Sequence, residues 1–200
     1  MKIALDLNDV IRDYSNNFLR HYNENYDHTF DFSDFEMWSN DMRVVLPFKS
    51  DASYEKFTYQ DYAYELYAAC PTTYSSLTPD LNNWIEHDLK DIDTTEEIIP
   101  MIVSTMEYGL SIPSSYVFVG KLGSTIREIY FPIDSSTIWD RCDVVVTANP
   151  RLLESKPEGK ISVKIETEYN KESESDFSFK SFKSFIKDKN NIIKLLKDGD

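Results

Sequence analysis

The sequence predicts an α/β protein with a Rossmann-like, mostly parallel sheet flanked by helices and with a small helical cap insertion. Short apolar runs, typical of buried parallel strands, alternate along the chain with segments whose apolar residues recur at helical spacing. Residues 27–77 differ, because they are rich in aromatic residues and lack apolar strand runs. We therefore expect a single domain over residues 1–200, with short helices inserted at about 27–77.

The first strand and helix are predicted at the N-terminus. Residues 2–7, KIALDL, form an apolar run that delivers Asp6 to the carboxyl end of a buried strand. In residues 13–25 the apolar side chains recur at spacings of three and four, which indicates one buried helical face. Ligand sites of parallel sheets lie at the carboxyl ends of the strands, so Asp6 is a candidate functional residue.

The insertion carries many aromatic side chains, and two interpretations of them remain open. They could form a contact surface for another protein, because Tyr, Phe and Trp contribute much of the energy of interfaces. They could instead form the insertion's own core. The residues concerned include Phe32, Phe35, Met37, Trp38, Tyr59, Tyr62, Tyr64, Leu66 and Tyr67.

Four more strands are predicted from apolar runs after the insertion, at residues 98–105, 126–131, 143–147 and 161–165. These runs are separated by helical or loop segments, as expected for parallel strands joined by crossovers.

Three further segments bear helical patterns. Thr78, Pro79 and Asp80 supply an N-cap, a proline at the first helical position and an early acid for a helix that extends to about residue 90. Residues 113–122 fit a helix that Gly123 ends, or half of a hairpin, because YVFV alternates. A C-terminal helix at about 178–197 is expected to pack on the sheet, with its lysines on the solvated face.

Composition restricts the classes of partner. The formal net charge is −14, and such a field repels nucleic acid, anionic membranes and phosphorylated small molecules unless a metal or a local basic cluster intervenes. Neither a signal peptide nor a membrane span is indicated, so we expect a cytoplasmic protein without membrane or direct nucleic-acid partners. Cys70 and Cys142 have no metal-ligand spacing, and we expect buried thiols.

The stretch ALDLNDVIRDYSNNFLRHYNENYD resembles the first motif of the haloacid dehalogenase superfamily, particularly its 5'-nucleotidase-like branch. That motif is an apolar strand, Asp, any residue and Asp, commonly followed by Gly. The resemblance places Asp6 at the position of the nucleophile that attacks phosphorus. Asn8 stands at the position of the general acid, and an amide has no proton to give at neutral pH.

The other three motifs of that superfamily are matched in part. IVST resembles the second motif, and Ser104 would bind the phosphoryl group, although a strand end with a capping hydroxyl is an equal alternative. The third motif requires a Lys, whereas Arg141 is the only cation in IDSSTIWDRCDVVV. CDVVVTANPRLLESKPEGKISVKIETEYN follows the layout of the fourth motif, but Thr147 and Ala148 replace its two magnesium-binding acids.

These replacements predict a catalytically inactive haloacid dehalogenase-like protein without a cofactor, in which Asp6, Asn8 and Ser104 are vestigial. We expect it to act as a structural or interaction subunit, in a homo-oligomer or a larger assembly of protein subunits. More weakly, the chain resembles structural proteins of tailed bacteriophages, including the crAss-like group. That resemblance implies a neck or tail ring and a location in the virion.

Two alternatives remain. The first is an active magnesium-dependent phosphatase or 5'-nucleotidase, with Asp6 as nucleophile and Ser104 on the phosphate. Asp134 or Asp140 would then have to supply metal ligands. The second is an acidic decoy that mimics nucleic acid, which requires carboxylates clustered on one face at phosphate-like spacing.

Overall fold

The computed structural model describes residues 1–35, 39–92 and 97–198. A six-stranded sheet forms the centre, and all of its neighbouring strands are parallel, which confirms the predicted fold class. The strand order is β3-β2-β1-β4-β5-β6. The strands are β1 Lys2–Asp6, β2 Ile99–Val103, β3 Glu128–Tyr130, β4 Val144–Thr147, β5 Ile161–Ile165 and β6 Phe177–Phe179.

Helices cover both faces of the sheet and form the insertion. The α-helices are α1 Tyr14–Tyr26, α2 Met42–Val45, α3 Asp51–Lys56, α4 Leu77–Asn83, α5 Ser111–Leu122, α6 Pro150–Glu154, α7 Phe182–Lys187 and α8 Lys189–Asp198. Three π-helical segments are Phe57–Asp61, Tyr64–Ala68 and Trp84–Asp88, and three 3-10 turns are Phe32–Asp34, Ser135–Ile138 and Glu168–Asn170. Within the described ranges, no helix has the length and hydrophobicity needed to cross a membrane.

The C-terminal region differs from the predicted single helix at 178–197. Its first residues form β6, which pairs in parallel with β5, and α7 and α8 follow. Ser181 ends the extended segment, because its side chain accepts the backbone N–H of Ser184 and caps α7. The apolar spacing across this region comes from two helices that Asp188 separates, and the Phe-Ser-Phe strand precedes both.

Two helix predictions can be compared directly with the structure. The helix predicted to start at Thr78 begins at Leu77, with Ser76 in the N-cap position. Pro79 fits inside the first turn, because the N–H groups there have no intrahelical acceptor. Residues 111–122 form a helix and not a hairpin strand, and Gly123 ends it in the left-handed conformation with φ of 63°.

Three apolar clusters hold the fold together. One lies on the sheet face covered by α4, α5, α7 and α8, and it contains Trp84, Phe118 and Phe185. A second covers the opposite face and includes Trp139 and Leu152. Strands β1, β2, β4 and β5 are mostly buried on both faces, which explains why they appear in the sequence as continuous apolar runs.

The third cluster is the core of the insertion, and it is largely aromatic. Tyr14, Phe18 and Tyr22 of α1 pack against Tyr54 and Phe57 of the insertion. Most of the aromatic residues therefore form the insertion's own core, which was the second of the two interpretations. Met37 and Trp38 lie outside the described residues.

The strand order places β1 in the middle of the sheet, with β2 on one side and β4 on the other. After β1 the chain adds β2 and β3 on one side of the sheet and then β4, β5 and β6 on the other side. Ligands of open α/β sheets bind in the crevice outside such a switch point. Asp6 lies in register with Val103, and Leu5 lies in register with Val146. The ends of these three strands therefore bring Asp6, Ser104 and Thr147 to one edge.

Candidate functional site

Asp6 ends β1 and is 3% exposed. Its Oδ2 accepts a hydrogen bond of 2.6 Å from the Thr147 hydroxyl at the end of β4. The Thr147 oxygen also accepts the backbone N–H of Asn149 at 2.9 Å. The Thr147 hydroxyl therefore contacts the Asp6 carboxylate directly. In the haloacid dehalogenase superfamily, whose fourth motif this segment resembles, a metal-binding acid stands at this position.

Asn8 is held by a buried arginine that the sequence analysis did not single out. Its Oδ1 accepts a hydrogen bond of 2.7 Å from Nε of Arg12, and Arg12 is 0% exposed. The guanidinium donates to the Ser115 hydroxyl at 2.8 Å and forms an ion pair of 2.6 Å with Glu107. Glu107 is equally buried, so the positive charge of Arg12 is neutralised inside the protein.

The loop between Asp6 and α1 is held in place by hydrogen bonds to the side chain of Asp9. Asp9 has a φ of 59°, a left-handed conformation that Asp tolerates better than most residues. Its carboxylate accepts the backbone N–H of Ser15 at 2.8 Å and the hydroxyl of Tyr169 at 2.7 Å. These bonds occupy both oxygens of Asp9, so this carboxylate is a structural group of the loop.

Ser104 follows β2 and is completely buried. Its hydroxyl makes no hydrogen bond to any residue that the structure describes, and neither does the Nδ2 of Asn8. Buried polar groups are nearly always paired, and an unpaired one costs free energy. Ser104 and Asn8 thus leave two unsatisfied polar atoms near Asp6.

The space around Asp6 is very small. A cavity of about 10 Å³ is lined by Asp6, Asn8, Asp9, Asn40, Thr105, Met106, Asn149 and Tyr169. A cavity of this size holds about one water molecule. Asn40 of the insertion donates to Asn149 at 3.0 Å, and Asn149 donates to Thr105 at 3.2 Å. This chain of bonds lies between the Asp6 cavity and an outer cleft of about 310 Å³, which the same three residues also line.

The donor set around Asp6 does not fit magnesium. Among the described residues, no three His, Cys, Asp or Glu side chains are grouped so that they could hold a metal ion. Thr147 offers a hydroxyl that is already bonded, and Ala148 offers no side-chain donor. Magnesium is bound in proteins mainly through carboxylate oxygens and water, in near-octahedral geometry.

Asp134 and Asp140, the two acids that could have rescued a metal site, do not lie at Asp6. Asp134 is exposed, and its carboxylate caps the 3-10 turn at Ser135–Ile138 by accepting the backbone N–H of Ser136. Asp140 is also exposed and does not line the cavity beside Asp6. Arg141, the only cation near the third motif, lies over the ring of Tyr130 at 4.1 Å.

The electrostatics of the site favour a neutral Asp6. The pKa of Asp6 is raised from 3.8 to about 7, mainly by burial, and the nearby carboxylates of Glu107 and Asp9 act in the same direction. The Thr147 hydrogen bond and the charge of Arg12 act in the opposite direction, but they do not outweigh burial. A carboxyl with this pKa is protonated about half of the time at neutral pH, which weakens it as a nucleophile.

Solved structures of other proteins have the same overall architecture as this chain. No protein-family model and no curated protein matches the sequence. The HAD-hydrolase YfnB from Bacillus subtilis, solved with bound magnesium, is 10% identical with a TM-score of 0.57, over 96% of this chain and 98% of that chain.

A haloacid dehalogenase-like hydrolase from Burkholderia xenovorans LB400 is 11% identical with a TM-score of 0.59, over 95% of this chain and 96% of that chain. At such low identity the likeness concerns the fold alone. Together with the strand order and the position of Asp6, it leads to one conclusion: this chain has the fold of the haloacid dehalogenase-like hydrolases.

Proposed function

We propose that this protein is a catalytically inactive member of that fold class, which acts as an interaction subunit and uses no metal. The observation that carries the proposal is the hydrogen bond from Thr147 to Asp6. It takes the place of a metal contact on a carboxylate whose pKa is raised to about 7 by burial.

Phosphoryl transfer from a phosphate ester needs an ionised nucleophile, a cation that offsets the charge of the phosphate, and a proton for the leaving group. Asp6 is ionised only about half of the time near pH 7, and Asn8 has no proton to give. Arg12 is the nearby cation, but its charge is already neutralised by Glu107. Among these residues the offsetting cation and the proton donor are therefore missing, and the nucleophile is only partly ionised.

The test is an assay of para-nitrophenyl phosphate hydrolysis with magnesium, in which the wild-type protein is compared with Asp6→Asn. We expect no turnover above that of Asp6→Asn. Residual turnover that persists equally in Asp6→Asn comes from a contaminating enzyme and leaves the proposal intact. Turnover that Asp6→Asn abolishes would overturn the inactive assignment.

The alternative function, a phosphatase or 5'-nucleotidase, has one observation in its favour. In the described part of the chain the hydroxyl of Ser104 and the Nδ2 of Asn8 are buried without partners, and both are donors of the kind that phosphate oxygens accept. Titration calorimetry with inorganic phosphate, with and without magnesium, distinguishes the two functions. Phosphate binding that requires magnesium and is lost in Ser104→Ala would support the alternative. An inactive protein should bind neither phosphate nor magnesium.

The interaction role is supported by a surface near the start of α5. Several large apolar side chains are exposed there: Tyr108, Leu110, Ile112, Tyr116 and Val117. Clusters of this kind are typical of sites where proteins associate. The aromatic residues of the insertion are less suited to this role, because most of them are buried in its core or packed against it.

We propose that a second copy of the chain covers this surface. Light scattering should give a mass that is a multiple of 23.4 kDa, and Val117→Glu should lower it. Val44→Glu is the matched control, because Val44 is 71% exposed but lies in α2 of the insertion. A closed ring, the role implied by the weaker phage resemblance, would give more than two copies, and a clean monomer would contradict the homo-oligomer.

A further inference from the structure

A cleft of about 450 Å³ opens at the carboxyl ends of β5 and β6, between the start of α1 and the start of α7. It differs from the small cavity beside Asp6. The hydrogen bond from Tyr169 to Asp9 separates the two spaces, because both residues line both of them. The cleft has the size of a small-molecule site, and it lies at the sheet edge where α/β folds bind ligands.

The body of the cleft is apolar and partly aromatic. Its lining includes Ile165 at the end of β5, the buried ring of Phe182, and the rings of Phe32 and Tyr74. The ammonium of Lys183 lies over the Tyr74 ring, 5.2 Å from its centroid. A planar ring in the cleft would therefore meet aromatic faces with a cation close by.

Both signs of charge line the cleft, and three of the charged side chains, Asp13, Lys180 and Lys183, form no ion pair within the described ranges. Asp13 accepts a hydrogen bond of 2.6 Å from Asn16, but within the described ranges no cation lies at ion-pair distance from it. Burial raises the pKa of Asp13, which fits a carboxylate that lacks a cationic partner. Lys180 and Lys183 also have no carboxylate at ion-pair distance in the described part of the chain.

The remaining acids of the cleft are engaged elsewhere. Asp9 accepts the backbone N–H of Ser15 and the hydroxyl of Tyr169. Glu166 accepts the hydroxyl of Ser178, and Glu168 pairs with Lys171. Both are exposed at the rim. Asp13 is thus the half-buried carboxylate that is available to a ligand.

We propose that this cleft binds a small zwitterion with an aromatic body, which is the chemistry of an aromatic amino acid. The ligand's ammonium group pairs with Asp13, its carboxylate pairs with Lys180 and Lys183, and its ring packs against Tyr74 and Phe182. A zwitterion also brings no net charge into the field of a protein that carries −14. This proposal does not depend on any chemistry at Asp6, and it goes beyond the interaction role.

The test is a titration of the isotope-labelled protein with L-phenylalanine, followed by NMR. We expect shifts in the segments that line the cleft and not in Asn40 or Asn149. Phenethylamine lacks the carboxylate and 3-phenylpropionate lacks the ammonium, so each should bind about twofold to fivefold more weakly than the amino acid.

Two variants separate the charges of the site. Asp13→Asn should weaken L-phenylalanine and phenethylamine but not 3-phenylpropionate, whereas Lys183→Met should weaken L-phenylalanine and 3-phenylpropionate but not phenethylamine. A variant that merely damaged the fold would weaken all three ligands equally. Asp51→Asn and Lys187→Met, two exposed positions outside the cleft, are matched controls and should leave all three affinities unchanged.

Three results would each overturn the proposal. The first is the absence of shifts with L-phenylalanine, L-tyrosine and L-tryptophan at millimolar concentrations. The second is shifts at Asn40 and Asn149 in place of the cleft. The third is equal binding of L-phenylalanine and its two singly charged analogues, because it would show that the unpaired charges do not select the ligand.

Discussion

The substitution Asp6→Asn should stabilise the protein, and the gain should grow as the pH rises. The side chain is 3% exposed, and the pKa of Asp6 is raised from its ordinary value of 3.8 to about 7. The folded state therefore holds a proton on Asp6 in a pH range where the unfolded state has released it. Between these two pKa values the wild-type protein loses stability as the pH increases, and above about pH 7 the loss is complete.

The size of the effect follows from the two pKa values. Their separation corresponds to about 4 kcal/mol of unfolding free energy, an upper limit because the buried site can relax. Asparagine does not titrate, and its amide oxygen can still accept the Thr147 hydroxyl. The free-energy difference between Asp6→Asn and the wild type should thus be small near pH 4 and approach this limit near pH 8.

Urea unfolding of both proteins across this pH range measures the difference directly, because contributions from all other groups cancel. Asp134→Asn is a useful control, since hydrogen bonds from Ser136 lower the pKa of the exposed Asp134. Its pH dependence has the opposite sign and falls below about pH 4, so its difference from the wild type should stay nearly constant between about pH 4 and pH 8. A difference for Asp6→Asn that does not change with pH would refute the reasoning. It would mean that Asp6 is ionised in the folded protein at neutral pH.

Three other substitutions test the network around Asp6 by chemical denaturation. Arg12→Met should cost about 3–5 kcal/mol because it leaves Glu107 buried without its partner, whereas Arg20→Met, in an exposed pair on α1, should change stability by less than about 0.5 kcal/mol. Thr147→Val should cost about 1–3 kcal/mol because Asp6 loses its donor. Asn170→Ala should cost about 3 kcal/mol, since the buried side-chain amide of Asn170 donates to two backbone carbonyls. A loss of stability below about 1 kcal/mol for Arg12→Met, Thr147→Val or Asn170→Ala would contradict the hydrogen bond or ion pair assigned to that residue.

The fold class was predictable because strands buried on both faces are continuous apolar runs in the sequence. Four of the strands, β1, β2, β4 and β5, are mostly buried along their length. β6 was missed for the opposite reason. It is a three-residue edge strand with an exposed central serine, and its phenylalanines continue the apolar spacing of α7.

The site was predictable only where residues follow strand ends. Asp6, Ser104 and Thr147 lie at one edge of the sheet because parallel strands end there, and of the three only Asp6 and Thr147 are joined by a hydrogen bond in the described part of the chain. Arg12 was missed because a charged residue before a helix normally faces solvent, and only its spacing of four from Asn8 hints at their contact. The contact of Arg12 with Glu107 joins residues far apart in the sequence, and no local pattern indicates such a pair.

Thr147 and Ala148, which stand where the haloacid dehalogenase motifs have metal-binding acids, both suit a buried Asp6 that has no metal ion beside it. A magnesium site places several carboxylates close together, and only the ion makes that arrangement stable. Without the ion, acids at positions 147 and 148 would repel the buried Asp6, whereas Thr147 donates to it and Ala148 adds no charge. Arg12 cannot replace the ion, because Glu107 neutralises it. A carboxyl that is kept partly neutral by burial and bonded to a hydroxyl is thus the stable form of Asp6 when no metal is bound.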